Sequence, residues 1–177
     1  MGSNGQGSAE DNDIFANEGS GVEIRHNGNP TLRRNRIHDG DGAGVFVHDN
    51  GKGTLEENEI FANSGPGIET REGGSPTLRR NRIHAGRGAG VLVRTNGQGS
   101  IEDNDILANA SSGLEIRHGG KPSVRRNRIS QNALHAIRVY DGGQGVFEHN
   151  DLRGNGAGAW DVSADCQDKV MRKHNQE

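Results

Sequence analysis

Arg25, His48, Arg71, Arg94 and Arg117 recur at intervals of 23 residues, and the same step leads on to Tyr140 and Ser163. Two residues ahead of them runs a second series: Glu23, Phe46, Glu69, Leu92, Glu115, Arg138 and Asp161. A guanidinium presents paired N–H donors to a carboxylate, so a row of them suits an acidic ligand. Phe46 and Leu92 set apolar groups beside that row, and apolar side chains framed by arginine have the composition of a recognition patch. On this reading Arg25, Phe46, His48, Arg71, Leu92, Arg94, Arg117 and Tyr140 form an elongated surface for a protein or peptide of acidic and apolar character. The alternative is that Glu23 with Arg25, and their equivalents, make local pairs on a solvated face.

The same spacing disfavours other chemistries. Of the eight histidines, His38 and His84 share a column but stand two repeats apart. At one strand spacing per repeat that is about 10 Å, whereas the ligands of one zinc ion all lie near 2 Å from it. The histidines are therefore expected to be solvated, with no metal and no cofactor. Cleavage of a polysaccharide would need a particular carboxylate pair, or a calcium-binding acidic cluster beside a base. Here acids recur in columns and no pair stands out, so no catalytic residue is assigned, and one Trp and one Tyr offer few platforms for sugar rings. "LRRNRI" resembles a nucleic-acid patch, but its neighbours are acidic and the net charge is −3, so nucleic acid is not expected as a partner. Cys166 is the only cysteine, which excludes an intrachain disulfide. No apolar run approaches the roughly 18 residues of a membrane span, and "MGSNGQGSAEDNDIF" has no signal-like apolar core. A cytoplasmic location follows as the expectation (nuclear also, in a eukaryote), with export from a longer precursor left open.

What must position these residues is a repeat. With only 29% hydrophobic residues and 29 glycines, the composition alone suggests disorder. A solenoid escapes that inference, because each coil needs few inward side chains and its backbone pairs with the coils on either side. Coils begin at Asn4, Asn27, Asn50, Gly73, Asn96, Gly119 and Gly142, without insertion. Asparagine always fills the ninth position, as Asn12, Asn35, Asn58, Asn81, Asn104, Asn127 and Asn150. The eleventh is Ile14, Ile37, Ile60, Ile83, Ile106, Ile129 and Leu152, and pairs such as Val45 with Val47 recur later in the coil. These columns predict an all-β fold, a single-stranded right-handed parallel β-helix of seven 23-residue coils over residues 4–164. Residues 1–3 are read as an extension and 165–177 as a polar tail or cap. The even asparagine column reads as an internal amide ladder. Its neighbours alternate in sign: "AEDNDI", "LEENEI", "IEDNDI" and "FEHNDL" in odd coils, "LRRNRI" or "VRRNRI" in even ones. Arg33 is expected between Glu10 and Glu56, and Arg36 between Asp13 and Glu59. Slipping by one coil would set acid on acid, so the alternation guards register. Both terminal coils read as acidic, which opposes end-to-end stacking and predicts a monomer.

The stretch from Asn29 to His84, "NPTLRRNRIHDG" through "GTLEENEI" to "SPTLRRNRIH", closely resembles the β-helix of the F-box substrate receptors known as F-box-only proteins eleven and ten. That resemblance covers about residues 4–155 and implies a substrate-binding solenoid of a repeat family grouped with carbohydrate-binding and sugar-hydrolase domains. The sequence lacks an F-box segment and a zinc-binding cysteine cluster, so ligase recruitment does not carry over. The expected function is a non-catalytic protein-recognition solenoid related to a larger receptor. The alternative is a polysaccharide-binding or polysaccharide-active β-helix, with a glycan as partner.

Overall fold

The computed structural model describes residues 4–177, so the extension assigned to residues 1–3 lies outside the described residues. Each of the first six coils contributes three short strands, as in Thr54–Glu56, Glu59–Phe61 and Ile68–Thr70, and the seventh contributes two, Gly145–Glu148 and Gly158–Val162. Like strands of successive coils pair in parallel, giving sheets of eight, six and seven strands that wrap one solenoid of about seven turns. The register is the 23-residue step itself: Leu32 pairs with Leu55, Ile60 with Ile83, and Val45 with Ile68.

One inward residue per strand, or two on the third sheet, fills the core. Leu32, Leu55, Leu78, Ile101, Val124 and Phe147 line the first sheet's inner face, and Ile37 through Ile129 line the second's. Complete burial of such a side chain contributes roughly 1.5–3 kcal/mol, which is how a chain poor in apolar residues holds together. The strands are separated by sharp corners. Arg34, Glu57, Arg80, Asp103 and Arg126 all take φ between 51° and 57°, a left-handed conformation that costs roughly 1–2 kcal/mol for a residue with a side chain. Pairing continues through the corner, with the amide of Arg34 donating to Glu56 O and that of Arg36 to Asn12 O, so no backbone group is orphaned to reach it.

The asparagine after each such corner turns inward. Asn58 Nδ2 donates to Leu32 O of the coil below (2.9 Å) and to Asn81 Oδ1 of the coil above (3.0 Å), and Asn58 N donates to the same oxygen. The pattern repeats from Asn12 to Asn150. A second, broken ladder stands five residues on. Asn109, Asn132 and Asn155 continue it rung by rung, while at Gly40 and Gly86 the backbone amide replaces the side chain and donates to Asn63 and Asn109.

The charge alternation is real. Glu10, Arg33, Glu56, Arg79, Glu102, Arg125 and Glu148 follow one another in register. The corner arginines reach down to two acids at once, Arg34 to Glu10 and Asp11, Arg80 to Glu56 and Glu57, and Arg126 to Glu102 and Asp103. The expectation that both ends are acidic is corrected at the C-terminal end. Ala164–Lys169 forms a 3-10 helix, and Val170–Lys173 pairs with Gly145–Glu148 as the outermost strand of the first sheet. Lys173 lies 3.5 Å from Glu148, so one more basic course follows the last acidic one. Asn175 supplies the last rung of the ladder, its Oδ1 accepting from Asn150 N and Nδ2.

Candidate functional site

The third sheet carries the row of basic residues on its outer side. Its strands place Glu23, Phe46, Glu69, Leu92, Glu115 and Arg138 in one line of register. Arg25, His48, Arg71, Arg94, Arg117 and Tyr140 follow two residues on, where each strand ends, so all eight residues named from the sequence share one face. They interlock across coils. Glu23 accepts from His48 at 2.8 Å and Glu69 from Arg94 Nε at 2.8 Å, each bond stepping one coil up. The His48 bond, with Arg25 nearby at 3.8 Å, holds the Glu23 carboxyl below its usual range. One coil above Arg94, Glu115 accepts instead from Ser111 Oγ at 2.6 Å, and Tyr140 stands above it without a hydrogen bond between them. Burial first, and the Glu115 charge second, push its phenol above the ordinary value, so it stays protonated and able to donate.

The apolar part of the expected patch is not open to solvent. Leu92 is only 7% exposed, flanked in register by Glu69 and Glu115. Phe46 is half-buried between His48, stacked at 4.3 Å, and the Arg71 guanidinium, 4.7 Å from its ring centre. What the face does offer is guanidinium. Arg117 and Arg138 both approach the Tyr140 ring, at 5.8 and 4.7 Å. Arg138 is paired with Asp161, but no carboxylate lies within 4 Å of Arg117 among the described residues, and its Nε is buried without a hydrogen-bond partner. The Nε atoms of Arg71 and Arg138 are buried in the same way but have Glu72 and Asp161 beside them, so what sets Arg117 apart on this face is the absence of a carboxylate.

The expectation of solvated histidines holds for His26, His118, His149 and His174, which are exposed, and is corrected for His38 and His84. On the second sheet Phe15, His38, Phe61 and His84 form a column of stacked rings with centroid separations of 5.6, 4.4 and 5.3 Å. His38 sits between two phenyl rings, with Nδ1 2.6 Å from Asp39 and Nε2 2.9 Å from Asp13. Burial alone would lower its pKa, but the two carboxylates outweigh burial and hold it above the ordinary value. A raised folded-state pKa contributes stability that is complete below the unfolded value of about 6.5 and disappears as pH rises through the folded value. An NMR titration should place His38 above 6.5, and Asp13→Asn should lower it; a midpoint unmoved by the substitution would contradict the assignment. Among the described residues no group of three or more His, Cys, Asp or Glu is arranged to hold a metal ion. The sequence reading missed this ring column, the second amide ladder, and a polar depression at the C-terminal end of the second sheet.

No curated protein sequence matches the chain. Among solved structures it is similar to the A-module of mannuronan C-5 epimerase AlgE6 from Azotobacter vinelandii, with a TM-score of 0.82 at 18% identity, covering 97% of this chain and 54% of that one. The AlgE4 A-module from the same organism gives 0.62 at 16%, covering 93% and 56%. The periplasmic alginate epimerase AlgG gives 0.61 at 17%, covering 98% and 43%. The chain thus spans about half the length of these structures. These similar structures are epimerases of mannuronan and alginate, which overturns the expectation of a non-catalytic protein-recognition solenoid, and the burial of Leu92 and capping of Phe46 remove its apolar surface. The finer likeness to F-box receptors is not shown by these matches. The family described as "Right handed beta helix region" matches residues 1–75 and 20–170, and the chain belongs to it.

Proposed function

We propose that this β-helix handles an acidic polysaccharide, held along the outer face of the third sheet with its carboxylates against the arginine row. The observation that carries this reading is Arg117, poised over Tyr140 with no carboxylate within 4 Å among the described residues. A polyuronate brings one carboxylate per sugar, and the row brings one basic or aromatic residue per coil, so a chain lying along the rod meets donors repeatedly. Fork-shaped guanidinium pairing suits a planar carboxylate, and multiple weak contacts in line add through effective concentration. The similar solved structures support a polysaccharide rather than a protein ligand, since they are epimerases of mannuronan and alginate. The Tyr140 phenol, pushed above its ordinary value, stays protonated and offers a hydrogen-bond donor to a bound sugar.

The test is binding to immobilised polymannuronate, polygalacturonate and neutral mannan at several salt concentrations. Retention of the acidic polymers only, weakening as salt rises and falling about tenfold or more in an Arg94→Glu/Arg117→Glu variant, is the expected result. Equal retention of neutral mannan, or acidic-polymer binding unchanged by the double substitution, would overturn the placement.

A further inference from the structure

The depression at the C-terminal end of the second sheet is a shallow, open hollow of about 390 Å³ lined by Arg128, Ser130, Gln131, Asp151, Arg153 and Gly154. It arises because the stacked ring column stops. The twelfth position of the coils reads Phe15, His38, Phe61, His84, Leu107, Ser130 and Arg153, so large side chains fill the column up to Leu107 and a hydroxymethyl group follows. Ser130 is 8% exposed, and its Oγ is buried with no hydrogen-bond partner although it faces a polar space.

The charges around it are out of step with the rest of the rod. Elsewhere on this sheet an arginine has acids above and below it, as Arg36 has Asp13 at 3.4 Å and Glu59 at 3.6 Å. Arg128 stands in register between Asp105 and Asp151, but Asp151 is engaged by Arg153, Nε to Oδ1 at 2.8 Å and Nη2 to Oδ2 at 2.7 Å. Arg153 comes from the ring column rather than the charge column. That pairing draws the Asp151 carboxyl down to about 2, so it is ionised and committed. Arg128 is left with no carboxylate within 4 Å among the described residues. Two guanidinium groups, one carboxylate and an orphaned hydroxyl together make a cationic hollow with a donor at its floor.

We propose that this hollow is a second binding site, taking the carboxylate of a single uronic acid residue, with Arg128 as its charge partner and Ser130 Oγ donating to it. The site rests on the acidic-polysaccharide reading above but is built from different residues on a different sheet. A glycan engaged at both places would be held across the end of the rod.

The experiment titrates the ¹⁵N-labelled protein with trimannuronate, with neutral mannotriose and with inorganic phosphate, following amide shifts. Trimannuronate should shift Gln131 and Gly154, and should still do so in the Arg94→Glu/Arg117→Glu variant. Ser130→Leu, which refills the column as Leu107 does, and Arg128→Gln should each weaken this response about tenfold or more, as loss of a charge-assisted hydrogen bond or of access would. Arg128→Gln alters a side chain outside the core, so it reads the site even if Ser130→Leu fails to fold. Silence at Gln131 and Gly154 while the third sheet responds overturns the second site and leaves the first reading standing. Equal shifts with phosphate overturn its assignment to a sugar carboxylate. Response at these amides without any on the third sheet supports the second site against the first, and no response to trimannuronate anywhere overturns both.

Discussion

Replacing Asn81 by alanine should destabilise the solenoid by roughly 3–5 kcal/mol, among the largest effects of any single substitution in the chain. Its Oδ1 accepts from both Asn58 N and Asn58 Nδ2, and its Nδ2 donates to Leu55 O and to Asn104 Oδ1. Alanine removes all four bonds and strands their partners in a region closed to water, where each orphaned group costs about 1–3 kcal/mol before relaxation. The same change at Asn12, the exposed first rung, which donates only to Asn35 Oδ1 and Glu10 O, should cost under about 1 kcal/mol. Urea unfolding of the two variants beside the parent makes the comparison. A loss below about 1 kcal/mol at Asn81 would mean that the ladder accompanies the fold without holding it.

Gly90→Ala is the second large effect. A Cβ at this position would lie 2.4 Å from Ile106 Cγ2 and 2.7 Å from Gly113 O, inside a stack where neither the isoleucine nor the next coil's backbone can retreat. Overpacking of this kind costs roughly 1–3 kcal/mol, and the upper half of that range is expected because a backbone oxygen is one of the obstacles. Gly19, where a Cβ meets nothing within 4 Å, should accept alanine with no loss, or gain a few tenths of a kcal/mol from the stiffer unfolded chain. Thermal unfolding decides it. Equal melting temperatures for the two variants would refute the steric account.

How much of this was legible follows from what repeats. Columns of Asn and Ile recur in every coil, so the fold, the register and the first ladder could be read directly, as could Arg33 between Glu10 and Glu56. The second ladder was hidden because Gly40 and Gly86 break it, and only in the folded chain does a backbone amide stand in for the missing side chain. The last rung was hidden because Asn175 follows Asn150 by 25 residues rather than 23. The eight residues of the candidate face were found by their spacing, but not their cover. An outward position reads as exposed in a sequence, whereas Leu92 is closed off by its surroundings and Phe46 by Arg71 and His48. The hollow at Ser130 is an absence of volume in one column, and a small residue between Leu107 and Arg153 carries no signal until the stack around it is built.

The central claim is that an acidic polysaccharide lies along the third sheet, and amide shift mapping with a polymannuronate oligomer long enough to span several coils tests it most directly. The account predicts shifts that run from coil to coil at Arg71, Arg94, Arg117 and Tyr140, fade with added salt, and are absent with a neutral mannan oligomer of the same length. Shifts confined to other faces of the rod, or a neutral oligomer that reproduces the same pattern, would contradict it.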